Sequence, residues 1–288
     1  MTKQRLDIEL VKRKLTVSRS QSESWIKLGK VTVNGHVVVK PGYFVDPAAD
    51  VKLMADEQYV SRAGLKLASV AGVFKLDFKD KTVLDIGSST GGFTDYALRH
   101  GAKKVVAVDV GTDQLHPSLR GNKKIELHEK TDIRNVYAVA PAHLPSTTYH
   151  LLNDIPDIVV MDVSFISLRE ILPHVYNSLS GKNTQIVAMV KPQFEVHAEH
   201  GRSMNTERSR STDKTNPSTS SGFRGSRTVE NVLNKGVIKN DSMRRQILKD
   251  FEEWSHNYFV IRNKRDSDVA GANGNQERFY LLTSMKNK

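Results

Sequence analysis

The sequence predicts an α/β domain with a largely parallel, Rossmann-like sheet, preceded by a small basic α+β domain, and three observations lead there. Short apolar strands alternate with helical segments from Thr82 onward, and the first strand runs into a glycine-rich turn. The opening of the chain combines a dense positive charge with the pattern of two helices and a hairpin.

In the basic region, Leu6, Leu10, Val11 and Leu15 recur at helical spacing, so residues 3–14 read as an amphipathic helix. Ser20 and Glu23 have the spacing of a capping box and Gly29 is a natural stop, which predicts a second helix over Ser20–Leu28. Val31 to Val39 contains two β-branched runs joined by Asn34-Gly35, a pair that accepts positive φ and so predicts a tight hairpin. Val51-Lys-Leu-Met54 adds a further strand.

The sheet of the larger domain is expected from Thr82–Ile86, Val105–Val108, Ile125–His128, Ile158–Met161 and Gln185–Val190. Tyr258–Arg262 and Phe279–Leu282 follow, and their short connection predicts an antiparallel pair. Ala198 to Arg227 breaks the pattern: it is crowded with Ser, Thr, Arg, Asn and Gly, and reads as a flexible insertion.

Composition narrows the function. Lysine and arginine number 43 against 32 acids, a net charge of +11 that favours a polyanionic partner. Residues 1–40 alone hold nine basic and three acidic side chains, so the surplus sits where an RNA-binding arm would use it. With no cysteine, thiolate metal sites, disulfides and cysteine nucleophiles are excluded. No H-x-x-x-H pair suggests a metal, no apolar stretch has the length of a membrane span, and the first residues lack the apolar core of a signal peptide, so a cytoplasmic protein is expected.

The glycine turn carries the chemistry. Val83-Leu-Asp-Ile-Gly-Ser-Ser-Thr-Gly-Gly-Phe93 lets backbone N–H groups approach a ligand, and marks Asp85, Gly87, Ser88, Ser89, Gly91, Gly92 and Phe93 as candidate cofactor contacts. Its D-I-G-x-x-x-G-G form differs from the G-x-G-x-x-G of dinucleotide enzymes and resembles the S-adenosylmethionine loop of Rossmann-like methyltransferases. Asp109 ends the second strand, where a carboxylate accepts from ribose hydroxyls. Asp132 follows the third strand and Asp162 ends the fourth, the regular placement expected around a cofactor, although a loop or capping aspartate would look the same. Lys191 follows a strand and opens toward the crevice where α/β sheets bind ligands, while Lys66 precedes the sheet and Glu277 precedes the final strand.

The basic helix pair and V-x-V-N-G hairpin resemble the RNA-binding module named after ribosomal protein S-four. That resemblance places Arg5, Arg13, Arg19, Lys27 and Lys30 near phosphates, which position RNA without choosing a sequence. Across nearly the whole chain, S-R-A-G-L-K-L, V-L-D-I-G-S-S-T-G-G-F-T-D, A-V-D-V-G, M-D-V-S-F-I-S-L, V-K-P-Q-F-E and G-N-x-E resemble the TlyA, or haemolysin A-like, family of ribosomal RNA 2′-O-methyltransferases. The resemblance implies a class I methyltransferase fold, S-adenosyl-L-methionine as cofactor, no metal, and a catalytic tetrad of Lys66, Asp162, Lys191 and Glu277. It also implies cytidine 2′-hydroxyls of ribosomal RNA as substrate, met on assembled ribosomal subunits.

In such a tetrad Lys191 would act as a base if neighbouring positive charge favours its neutral form, or as a cation that stabilises a developing alkoxide. Lys66 would supply positive charge and hold the ribose, while Asp162 and Glu277 orient the lysines and the hydroxyl. The expected organisation is an S-four-type domain at 1–58, a segment at 59–81 that links the domains and opens the catalytic region, and a Rossmann-like methyltransferase domain at 82–288 interrupted at about 198–227. After Glu195 the family continues into a V-x-D helix start, and Val237 to Asp241 is the remnant of it here. A non-catalytic RNA-binding or ribosome-assembly factor, a membrane-acting haemolysin and a dehydrogenase are the other readings, the last disfavoured by the glycine spacing.

Overall fold

In a computed structural model, the described residues are 3–16, 18–54, 59–141, 145, 149–196, 237–238, 240–271 and 274–286. The insertion expected at 198–227 lies outside them. The elements are β1 (Gln4–Arg5), α1 (Leu6–Lys12), α2 (Arg19–Lys27), β2 (Val31–Val33), β3 (His36–Val37), β4 (Phe44–Val45), β5 (Val51–Leu53) and α3 (Arg62–Ala71). There follow β6 (Thr82–Ile86), α4 (Gly92–Arg99), β7 (Lys104–Val108), β8 (Ile125–His128), β9 (Val136–Tyr137), β10 (His150–Leu151), β11 (Ile158–Met161) and α5 (Leu172–His174). The chain closes with β12 (Gln185–Val190), α6 (Asp241–Ser255), β13 (Phe259–Asp266) and β14 (Arg278–Ser284).

The small domain differs from its sequence pattern at both helix starts. α1 begins at Leu6 because Gln4 and Arg5 pair as a strand with β4, which consumes the first turn of the expected helix. α2 begins at Arg19, and its cap is Ser18, whose side chain accepts from the Gln21 N–H, in place of the expected Ser20–Glu23 box. The hairpin forms as expected: Asn34 and Gly35 take φ of 50° and 81°, the turn between β2 and β3 that matches strand twist.

Seven strands make the main sheet in the order β13-β14-β12-β11-β6-β7-β8. β12, β11, β6, β7 and β8 run parallel, and β14 and β13 are antiparallel additions at one edge. From β6 the chain first builds outward through β7 and β8, then returns to the other side for β11 and β12. A switch of this kind opens a crevice at the carboxyl ends of the central strands.

Alternate residues of each strand serve two cores. Val83, Val105, Val160 and Val187 face one side with α3 and α4, while Leu84, Val106, Val159 and Ile186 face the other with α6. The first core is continuous with Leu6, Leu10, Trp25 and Ile26 of the small domain. The segment at 59–81 contains α3, and its Tyr59, Phe74 and Phe78 are buried in that same core. α6 starts at Asp241 behind an Asn240 cap that accepts from the Ser242 and Met243 N–H groups, which is the helix start expected near Val237 to Asp241.

Gly92 lets α3 and α4 meet. A β-carbon there would stand 2.7 Å from the Ala63 Cβ and 2.8 Å from the Gly64 N, and would also strike the Ser61 Oγ. Gly92→Ala is therefore expected to destabilise the chain by about 2 kcal/mol in urea unfolding by pushing α3, and Lys66 with it, off α4.

Candidate active site

β6 ends in the crevice and the chain turns there through Gly87, Ser89 and Gly91, with φ of 79°, 46° and 87°. Gly87 is also a close approach, since a β-carbon would lie 3.0 Å from the Asp162 carbonyl at the end of β11. Asp109, after β7, pins the turn: its Oδ2 accepts from Ser89 N at 2.8 Å and its Oδ1 from Gly111 N at 2.7 Å. Each oxygen keeps a further lone pair for a ligand hydroxyl.

Two adjoining cavities follow. One of about 370 Å³ is walled by Ile86, Val108, Ile133 and Ile171 and edged by Asp109 and Asp132. A second of about 160 Å³ is lined by Asp85, Ser88, Phe93 and Lys191, and the two share Gly87, Ser89, Asp162 and Ser164. Together they form one crevice with an apolar end suited to a flat heterocycle and a polar end suited to a charged group.

At the polar end, Asp85 is 1% exposed. Its Oδ2 accepts from Thr94 Oγ1 at 2.6 Å, while its Oδ1 and the Ser88 Oγ are buried without a partner. Burial pushes the Asp85 carboxyl up to about 7, partly opposed by the Thr94 hydrogen bond. An unsatisfied buried acceptor on a carboxyl that ionises near neutrality suits an amino-acid ammonium, and the apolar cavity beside Asp109 suits a nucleoside. The residues present therefore fit S-adenosylmethionine.

The expected tetrad appears as two ion pairs at this same edge of the sheet. Lys191 Nζ stands 2.6 Å from Asp162 Oδ1, as a charge contact outside hydrogen-bond alignment, and donates to Ser164 Oγ at 2.7 Å. Lys66, on α3, donates to Glu277 Oε2 at 2.6 Å, and both side chains are buried. The antiparallel register ends at Val190–Arg278, so Lys191 and Glu277 occupy the next positions on adjacent strands. The pairs are thus neighbours by sheet geometry. Phe93, under the glycine turn, lies 6.2 Å from the ring of Phe279 and joins the same corner.

Other candidates are placed less directly. Asp132 edges the apolar cavity, but its carboxylate also caps the next turn and pairs with Arg134, which holds it below its ordinary range. In the small domain Arg5 and Arg19 both pair with buried Asp7, each at 2.8 Å. Burial opposes ionisation of Asp7, yet those two hydrogen bonds outweigh it and hold the carboxyl below its usual value. Arg13 pairs with Glu9 at 2.8 Å and donates to the Ala49 and Pro47 carbonyls. These three arginines tie the small domain together, although Arg19 stays exposed, whereas Lys27 and Lys30 are exposed and outside those pairs.

The family model of FtsJ-like methyltransferases matches residues 59–284, and that of the S4 domain matches residues 4–51. The chain belongs to the FtsJ-like methyltransferase family. It is 34% identical over 282 residues to the Bacillus subtilis protein YqxC, covering 97% of this chain and 85% of that one. A Mycobacterium tuberculosis protein named 16S/23S rRNA (cytidine-2′-O)-methyltransferase TlyA is 38% identical over 194 residues, covering 67% of this chain and 68% of that one. Among solved structures, a Streptococcus thermophilus protein carrying the hemolysin name superposes with a TM-score of 0.61 at 31% identity, covering 99% of this chain and 90% of that one. The FtsJ-like chain is a methyltransferase whose methyl donor is S-adenosylmethionine. Among the described residues no helix is long and apolar enough to cross a membrane, and no cluster of side chains is arranged to hold a metal.

Several site residues escaped the sequence reading. Ser164 holds Lys191, and Gly271 makes room for Glu277, whose Cδ would lie 2.7 Å from a β-carbon at that position. The Gly271 N–H donates to the Asn275 carbonyl at 2.9 Å and shapes the turn that delivers Glu277. A glycine a few residues before G-N-x-E was the available signal.

The raised Asp85 carboxyl has a cost in stability with a definite sign. Its folded value of about 7 lies above the ordinary 3.8, so the folded state holds the proton more tightly and stability falls as pH rises between those values. Asp85→Asn is expected to raise Tm at about pH 8, leave it little changed near pH 4, and weaken S-adenosylmethionine binding by about tenfold or more in calorimetric titration. An unchanged Tm at the higher pH would contradict the cause given for the shift.

Proposed function

We propose that this methyltransferase modifies the ribose 2′-hydroxyl of a cytidine in ribosomal RNA, on assembled ribosomal subunits in the cytoplasm. The observation that carries the reading is Lys191, whose ammonium meets Asp162 and Ser164 at the crevice and keeps a third N–H for a substrate oxygen. The M. tuberculosis relative named for cytidine-2′-O methylation of 16S and 23S rRNA supports the choice of substrate.

When bound, S-adenosylmethionine supplies an electrophilic methyl group. The protein's part is to orient a weakly nucleophilic hydroxyl and stabilise charge on its oxygen. Lys191 donates to that oxygen from its free N–H, and the hydroxyl proton is given up to water as the methyl group is accepted. Asp162 keeps the ammonium in place. Lys66, held by Glu277, positions the ribose from the α3 side.

RNA reaches the crevice through the S4 domain, with Lys27 and Lys30 as its phosphate contacts. Replacing both with alanine is expected to reduce the salt slope of RNA binding by about 1 to 2 while leaving Tm unchanged. Arg13→Ala is expected instead to lower Tm.

The reading is tested by transfer of labelled methyl from S-adenosylmethionine to unmodified ribosomal subunits. The wild-type chain labels the RNA, and Lys191→Ala lowers kcat by about a hundredfold or more with cofactor affinity within about threefold. A non-catalytic assembly factor would bind the RNA equally in both forms and label none.

A further inference from the structure

One buried carboxylate has no part in the chemistry above. Glu195 is 1% exposed, lines neither cavity, and lies in the short helical turn 192–196 that follows Lys191. Its Oε2 accepts from Ser167 Oγ at 2.6 Å and its Oε1 from Leu168 N at 2.8 Å. Arg169 Nε stands 3.5 Å from Oε2 and is itself buried. All three partners belong to the loop that runs from Asp162 toward α5.

The same two segments meet twice more. Lys191 donates to Ser164 Oγ at 2.7 Å, and the ring of Phe194 lies 5.3 Å from that of Phe165. Three rungs therefore run in step: 164 with 191, 165 with 194, and 167–168 with 195.

These rungs matter because, although Val163, Ile166 and Leu168 pack against the second core, the loop has few hydrogen bonds to fix its backbone. The Asp162 N–H is anchored to the Ile86 carbonyl, but residues 163–166 make no backbone-to-backbone hydrogen bond with another described residue. Phe165 is 91% exposed and takes φ of 66°, a conformation that non-glycine residues rarely hold unaided. The loop also walls the apolar cavity through Val163 and Ile166.

We propose that Glu195 is a positioning residue for methyl transfer, clamping the 162–169 loop to the turn after Lys191 so that Asp162 and Ser164 meet the Lys191 ammonium in one arrangement. This rests on the 2′-O-methyltransferase reading above. A carboxylate suits the task because it accepts from a hydroxyl and an amide at once and faces a guanidinium. Burial pushes its carboxyl above the ordinary range, and the Ser167 and Leu168 hydrogen bonds oppose that. Glutamine can still accept from Leu168 N and bond Ser167, whereas alanine can do neither.

Steady-state methyl transfer to unmodified ribosomal subunits tests the clamp, with cofactor affinity and Tm measured beside it. Glu195→Ala is expected to lower kcat by about tenfold to a hundredfold with the KM for RNA within about threefold, Ser167→Ala by a few-fold, and Glu195→Gln to stay within about threefold of wild type. In parallel, amide hydrogen exchange at 163–168 is expected to be faster in the alanine variant and unchanged in the glutamine one. Wild-type kcat in Glu195→Ala, or equal losses in the alanine and glutamine variants, overturns the proposal. If Glu195→Ala does not fold, Ser167→Ala decides, and wild-type kcat and exchange in that variant overturn it. A wild-type chain that transfers no methyl to RNA refutes the 2′-O-methyltransferase reading, while the exchange rates still report whether the clamp exists.

Discussion

Two lysine–carboxylate pairs at the carboxyl edge of the sheet, buried except for the half-buried Asp162, constrain everything around them. Desolvating an ammonium or a carboxylate costs several kcal/mol unless a partner compensates it, so each pair must be complete for either side chain to be tolerated. Lys66 and Glu277 are 211 residues apart in the chain, and Lys191 and Asp162 come from separate strands. The pairs form only once α3, the ends of β11 and β12, and the entry to β14 have all assembled. A finished site is thus a consequence of a finished fold.

The sheet supplies the frame for that assembly. Its strand order puts β6 and β11 side by side, so the glycine turn after one and Asp162 after the other share a wall of the crevice. Antiparallel β14 delivers Glu277 next to Lys191, a placement that a wholly parallel sheet would not give. Glycines sit where a β-carbon would find no room: Gly87 against the Asp162 backbone, Gly92 against α3 and Gly271 against the Glu277 side chain. The same edge therefore holds the crevice and the two paired lysines.

Much of this was legible in the residues. The strands announce themselves as apolar runs, and β6, β11 and β12 have the expected bounds because buried parallel strands leave little room for polar residues; the half-buried edge strand β8 also has its expected bounds. The glycine turn and the strand-end aspartates were legible because their spacing is imposed by the crevice. Less was legible where tertiary contacts decide. An arginine that meets a phosphate and one that meets Asp7 or Glu9 look alike in a basic sequence, and only the folded small domain shows Arg5, Arg13 and Arg19 paired internally. Ser18 displaced the Ser20–Glu23 pattern as cap of α2 because the two motifs overlap by two residues. Ser164 and Glu195 fall inside the M-D-V-S-F-I-S-L and V-K-P-Q-F-E segments, but their pairing was not legible, since their partners lie 27 or 28 residues away in the chain.

The central claim is that the paired lysines act on a ribose oxygen. Nucleoside mass spectrometry of ribosomal RNA, taken from unmodified subunits incubated with the protein and S-adenosylmethionine, tests it most directly. The account requires the new methyl on a ribose 2′-oxygen, recovered as 2′-O-methylcytidine. A methyl found on a base carbon or nitrogen, with the ribose unmodified, would contradict it.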